Sequence, residues 1–353
     1  MCRWPEETHG AFRAAGISVA LASVRSSRGM GVGEFNDLKR LADMCARAGL
    51  RFIEVLPVTD TCAHPHAPWQ DLSPYASISA HALNPLHLRL SVLPDLPRDL
   101  AREVQTQMHR FNSLTKLACS RSSSRVALHI GGRGEWPWRE SAADGDLEGA
   151  ESGCGAREIA GERDGRGRTG TRAAASQAED VLAAKHKLLR RVYEMTGKKV
   201  VESAEFASFL TEHARWLKPY SLFCVLRDLH GNADVSQWGE MGRLSAAHID
   251  ALVSPGGSKY AACRYWIWLQ FHLHNQLREA ARYAASKGVA LMGHLPSSIN
   301  LHAVDVWAQP DLFRRDKVWA MCASSRVHVC THTYTHGYAI HPPDLFWRDK
   351  VHT

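Results

Sequence analysis

The chain reads as an α/β protein with parallel strands, and three observations carry that reading. Short aliphatic runs occur at Ile17–Val24 and Phe52–Leu56. Between them, Phe35, Leu38, Leu41, Ala42, Cys45 and Ala48 recur at helical spacing over Glu34–Ala48. Gly49 follows as a helix C-terminal glycine, and the next strand starts after a short connection. A strand, a helix and a strand so closely joined form a β-α-β unit, whose strands run parallel.

The remaining elements extend this order. Asp99–Lys116 reads as an amphipathic helix, and Glu179–Met195 as another, with Val181, Leu182, Leu188, Leu189 and Val192 in period. Ala204–Glu212 and Pro219–Leu229 read as two further helices. Lys259–Lys287 is a long aromatic-rich helix ending at Gly288, and Val289–Met292 is a third strand. Helices inserted between the second and third strands of a (β/α)8 barrel would give this order. Three strands cannot close such a barrel, so the chain reads as its N-terminal part, incomplete. An open parallel edge predicts poor folding of the chain alone.

Composition divides the chain. Cys119–Ser176 holds 11 of the 26 glycines and no apolar period, so it reads as a disordered insertion. The expected organisation is 1–117 (first strands and a substrate loop), 118–178 (insertion), 179–316 (helical subdomain and third strand) and 317–353 (tail). In the tail, PDLFRRDKV at 310–318 recurs as PDLFWRDKV at 343–351, with eight of nine positions identical. The intervening VHVCTHTYTH alternates as a translated CA/TG repeat would, and so reads as non-coding read-through.

Charge and cysteines exclude several function classes. The net charge is +7, yet the insertion carries nine arginines against nine acids, and no basic cluster is interleaved with aromatics. Nucleic acid is therefore not expected as a partner. No apolar run reaches the roughly 20 residues of a membrane span, and the N-terminus has no apolar signal region. The expectation is a cytoplasmic protein. Nine scattered cysteines without C-x-x-C read as buried reduced thiols. The tail's Cys322, His328, Cys330, His332, His336 and His341 lack the spacing of a zinc frame, so no metal is expected. Gly29, Gly31 and Gly33 read as a tight turn rather than a dinucleotide fingerprint, with Glu34 as a helix N-terminal charge. Tyr265, Trp266, Trp268 and Phe271 read as core, and His272 and His274, two apart on a helix, do not face one another.

The candidate site follows the second strand. Downstream of Pro57, Asp60, Trp69, Asp71, Ser73 and Tyr75 fall within the sixteen positions 60–75. Aromatic rings suit the apolar faces of a polyol, while carboxylates and hydroxyls suit its OH groups. Pro74 fixes the turn that presents Tyr75, for which ligand contact and core packing both stand open on the residues alone.

The motifs LPVTDT at 56–61 and SPYASISAHALNPL at 73–86 resemble those of the 4-alpha-glucanotransferases, the amylomaltases or disproportionating enzymes of glycoside hydrolase family 77. WLKPYSLFCVLRD at 216–228, SQWG at 236–239, KGVALMGHLP at 287–296 and DVWAQPDLF at 305–313 carry the same resemblance, closest to the cytosolic plant-type transglucosidases. The resemblance covers about 16–112 and 180–313. It implies a (β/α)8 barrel, no cofactor, and retaining transfer of glucosyl units from maltose or an alpha-1,4-glucan to a glucan acceptor. Maltose, malto-oligosaccharide or a heteroglycan is the implied partner. Tyr75, Ser73, Asp60, Trp69 and His294 are the implied substrate contacts. Three departures stand out. His294 occupies the aspartate position of the family's Gly-Asp-Leu-Pro motif, and no Arg-x-Asp-His nucleophile motif occurs. Asp305 and Asp311 fall in a segment that is not the catalytic one, so no catalytic residue is assigned here. The plant-type branch's tandem starch-binding modules are also missing. The chain alone is therefore expected to be inactive, and a non-catalytic glucan-binding relative or a truncated gene product is the alternative.

Overall fold

The computed structural model describes residues 14–61, 74–75, 77–121, 166–294, 299–300, 302–313 and 326–327, with backbone alone over 114–121, 166–176, 299–300 and 326–327. Trp69, Ser73 and the histidine-rich tail segment lie outside them.

Three parallel strands form one sheet in the order β1 (Gly16–Val19), β2 (Phe52–Val55), β3 (Ala290–Gly293). The first strand is shorter than the aliphatic run suggests. The chain turns into a 3-10 segment at Leu21–Ser23, where Ser23 donates to the Ala20 carbonyl. Helix α1 (Asp37–Arg47) returns the chain to β2. Gly49, at φ 73°, accepts the left-handed conformation past its end. Alternate residues Ile53 and Val55 of β2 are buried among the helices. The opposite face presents Ser18, Glu54 and Met292 in one register row, from exposed Ser18 to half-buried Glu54 and Met292. These are the residues that would face a barrel's interior.

Between β2 and β3 lie α2 (Arg98–Arg121), α3 (Arg166–Val201), α4 (Ala204–His230), α5 (Ala246–Val253) and α6 (Tyr260–Ser286). Helices α2 and α3 reach into the segment read as a disordered insertion, leaving 122–165 outside the described residues. The two helices expected over 204–229 are one. Ser203 caps its N-terminus through Phe206 N–H, Gly231 closes it at φ 69°, and Pro219 sits inside. A proline removes one backbone donor, but Leu217 and the run Tyr220–Cys224 on both sides are buried and keep the helix continuous. Helix α6 packs against α1, α4 and β3. Its Tyr265, Trp266 and Trp268 are core residues, as the period predicts. His272 lies against Trp268, and His274 against His213 and Trp216, so the two histidines take separate surroundings. Cys45, Cys224 and Cys263 are free and buried, and burial pushes the Cys263 thiol up to about 11.

Glu34, expected as a helix N-terminal charge, precedes α1 and is bound into the core. It is 1% exposed and sits within a buried ionic group. Its carboxylate accepts from Lys185 Nζ at 2.6 Å and Arg89 Nε at 2.7 Å, and Arg89 Nη2 donates to Asp37 at 2.6 Å. Lys185 also donates to the Leu86 and Leu88 carbonyls. Burial holds the Lys185 ammonium below its ordinary range, against the pull of Glu34. The group joins the glycine turn, the 85–89 segment and α3. Gly31 in that turn has φ 75°, and a Cβ on Gly33 would run into the Leu21 carbonyl, so the glycines serve the turn itself.

Candidate functional site

Parallel α/β sheets gather ligands at the C-terminal ends of their strands, where the connecting loops begin. At that end of β2 the chain folds back on itself. Thr59 bridges Leu83 and Thr61 bridges Ser77, both antiparallel. Asp60 N–H donates to Ala82, and Ile78 N–H donates to Asp60. Helix α6 pins the returning arm: Gln270 Nε2 donates to the Leu83 carbonyl at 2.8 Å, and Oε1 accepts from its N–H at 2.9 Å. Gln276, six residues on, clamps Arg89 in the same way. Asp305, from α7 (Val304–Ala308), accepts from Ala80 N–H at 2.8 Å, and burial lifts its carboxyl to about 6.

The structure brings Tyr75 and His294 together. Their rings meet edge-on, 5.8 Å apart at 80°. His294 follows β3 directly; its N–H donates to the Val55 carbonyl at 3.1 Å, continuing the ladder. Its ring Nδ1 lies 3.1 Å from Glu54 Oε1, and the two side chains are about one-third exposed (35% and 30%). Glu54 is the residue that sequence reasoning missed. A lone charge within the apolar run Phe52–Leu56 was the signal available.

Asp60, the first residue of the expected site, is enclosed. It is 4% exposed, and its carboxylate accepts from Tyr220 Oη at 2.7 Å. Burial raises it to about 6, opposed by Arg227 and by the Tyr220 hydroxyl. The carboxylate points toward α4, where Tyr220 holds it. The aspartate follows a strand end and so reads as a site residue in sequence, but a partner 160 positions away turns it inward.

A sheet of parallel strands packed on helices, with Glu54, His294 and Tyr75 gathered toward the strand ends, defines an α/β protein with a candidate site there. The family model for 4-alpha-glucanotransferase, glycoside hydrolase family 77, matches residues 19–347. The chain belongs to that family. The match runs beyond residue 316, into the stretch the sequence motifs set outside the family's pattern. The rice (Oryza sativa subsp. japonica) 4-alpha-glucanotransferase DPE2 is 32% identical over 304 residues, covering 86% of this chain and 26% of the rice protein. A 4-alpha-glucanotransferase of Chlamydia pneumoniae is 27% identical, over 84% of this chain and 44% of that protein. The chain thus spans less than half the length of either. The crystal structure of amylomaltase from Corynebacterium glutamicum superposes with a TM-score of 0.54 at 20% identity, over 85% of this chain and 32% of that one. This supports a TIM-barrel-like fold. Among the described residues, no helix is long and apolar enough to cross a membrane.

Proposed function

We propose that this chain forms the substrate-binding part of a 4-alpha-glucanotransferase catalytic domain. The reading is carried by one observation: in a member of that family, Tyr75 and His294 converge where β2 and β3 end. The sheet is the first three strands of a (β/α)8 barrel, and the helices from α2 to α5 form an inserted subdomain. A glucose unit seats against Tyr75, with His294 supplying a polar contact and Trp69 and Ser73 completing the subsite. Asp60 acts behind it, holding the loop.

The full reaction is retaining transfer of a glucosyl unit from maltose or an alpha-1,4-glucan to a glucan acceptor in starch and maltose metabolism in the cytoplasm. A nucleophilic carboxylate forms the glycosyl-enzyme, and an acid/base carboxylate protonates the leaving oxygen. No Arg-x-Asp-His motif occurs in the 353 residues, so no step of that chemistry is assigned to them. Higher similarity to the rice protein than to the chlamydial one supports the plant-type branch. His294, standing where the family's motif has an aspartate, favours a second reading, a glucan-binding relative without transfer.

Titration with maltoheptaose, followed by chromatography of products after incubation, tests this. The expected outcome is binding without new oligosaccharides. Transfer by this chain would overturn its inactivity, and absence of binding would overturn the subsite. Arg-x-Asp-His and the later carboxylate, found in frame in the full transcript, would decide for the transferase over the non-catalytic relative.

A further inference from the structure

We propose that Glu54 is a positioning residue for His294, fixing the imidazole so that Nε2 reads a hydroxyl of the sugar seated against Tyr75. The inference rests on the glucan reading above and names how its polar contact is built. Three constraints converge on one ring. Its backbone is tied into the sheet by the bond from His294 N–H to Val55. Its Nδ1 is taken by Glu54 at 3.1 Å. Its flank is met edge-on by Tyr75. Glu54 is itself held in register between Ser18 of β1 and Met292 of β3, on the face away from the helical core.

The chemistry follows from the tautomer. A carboxylate beside Nδ1 accepts a proton bond, so the neutral ring carries its hydrogen there. Nε2 is then an acceptor at a fixed place, and a sugar hydroxyl donates to it. The resemblance places an aspartate at position 294, where one side chain would be both anion and contact. Here the two roles are split between neighbouring strands: Glu54 supplies the anion from β2, and His294 supplies the contacting atom after β3. A ring is also wider than a carboxylate, so the sugar hydroxyl is met farther from the sheet.

The test uses the native protein. Glu54→Met keeps the volume but removes the acceptor; Glu54→Gln retains one. Affinity for maltoheptaose is measured by calorimetry, thermal melting is followed alongside, and nitrogen-15 shifts report the His294 tautomer. The expected result is native His294 protonated at Nδ1. Glu54→Met should bind about tenfold more weakly at an unchanged melting temperature, with the ring shifted toward the Nε2–H form, and Glu54→Gln should return within about threefold of native affinity. Glu54→Met binding like the native protein would overturn the proposal, as would a native His294 protonated at Nε2 alone. If Glu54→Met melts early, the native tautomer decides without it. If the native protein binds no maltoheptaose, the glucan reading fails, and the sugar contact falls with it. The tautomer then separately decides whether Glu54 orients the ring.

Discussion

At the scale of single residues, position in sequence marks a site without saying which way a side chain turns. Tyr75 and Asp60 both fall in the loop after β2, and both carry groups suited to a sugar. The structure separates them: Tyr75 is half-buried against His294, whereas Asp60 is enclosed and bonded to Tyr220. Nothing local distinguishes them, because the deciding partner lies on α4, far along the chain. The bond has a measurable consequence. Tyr220→Phe deletes the hydroxyl that donates to Asp60 and leaves a buried carboxyl oxygen short of a partner. The expected loss is about 1–3 kcal/mol of unfolding free energy. A lowered urea midpoint with an unchanged m-value would show it. A midpoint within error of the native protein would mean that the Thr61 backbone bond and the Arg227 charge suffice for Asp60.

At the scale of elements, helical and strand periods were legible wherever one face is apolar. Helix α1, the strands β2 and β3, and the aromatic core of α6 stand within a few residues of their expected bounds. The failures have named causes. Pro219 suggested a break, but buried neighbours on both sides outweigh one missing hydrogen bond. Lys185 lies in a helix where lysine ordinarily faces water, and only its three buried acceptors explain its place. Gln270 and Gln276 are equally silent in sequence, yet their amides stand in for a neighbouring strand along Leu83 and Arg89. This makes α6 a support for the loop after β2 as well as a helix packed on the sheet. Gln270→Met should leave the Leu83 N–H and carbonyl unpaired and cost about 2 kcal/mol. The sharper readout is local: amide exchange at Leu83 should accelerate, while exchange in helix α2, which packs on α3, follows only the global loss. Uniform acceleration everywhere would show that the clamp stabilises the whole molecule without a local role.

At the scale of the whole molecule, the interior stores more neutral imidazole than protonated carboxyl, and this sets how stability should follow pH. Burial lowers His81, His87 and His272 to about 4, and also lowers His213 and His274. Such groups bind protons in the unfolded chain from about 6.5 downward, but in the folded one only near 4. Their contribution is therefore present above pH 6.5 and is lost as pH falls through 4. Asp60 and Asp305 act in the opposite sense. Raised to about 6, they favour the folded state below the ordinary aspartate value of 3.8, and that contribution is lost as pH rises through 6. Between pH 4 and 6.5 the unfolded chain takes up protons on five imidazoles, while the folded chain retains them on two carboxyls. The imidazoles prevail, so stability should climb across this window by a few kcal/mol and level off above it. Three of the five rings, His81, His213 and His274, lie with Trp216 between the site loop, α4 and α6. Acid should therefore loosen the loop that carries Tyr75 along with the rest of the fold. Urea midpoints at half-unit intervals from pH 4 to 7.5 would test this. A midpoint that is flat or falls with rising pH would mean that these histidines are solvated in the native protein, and that the loop is not held by the packing described here.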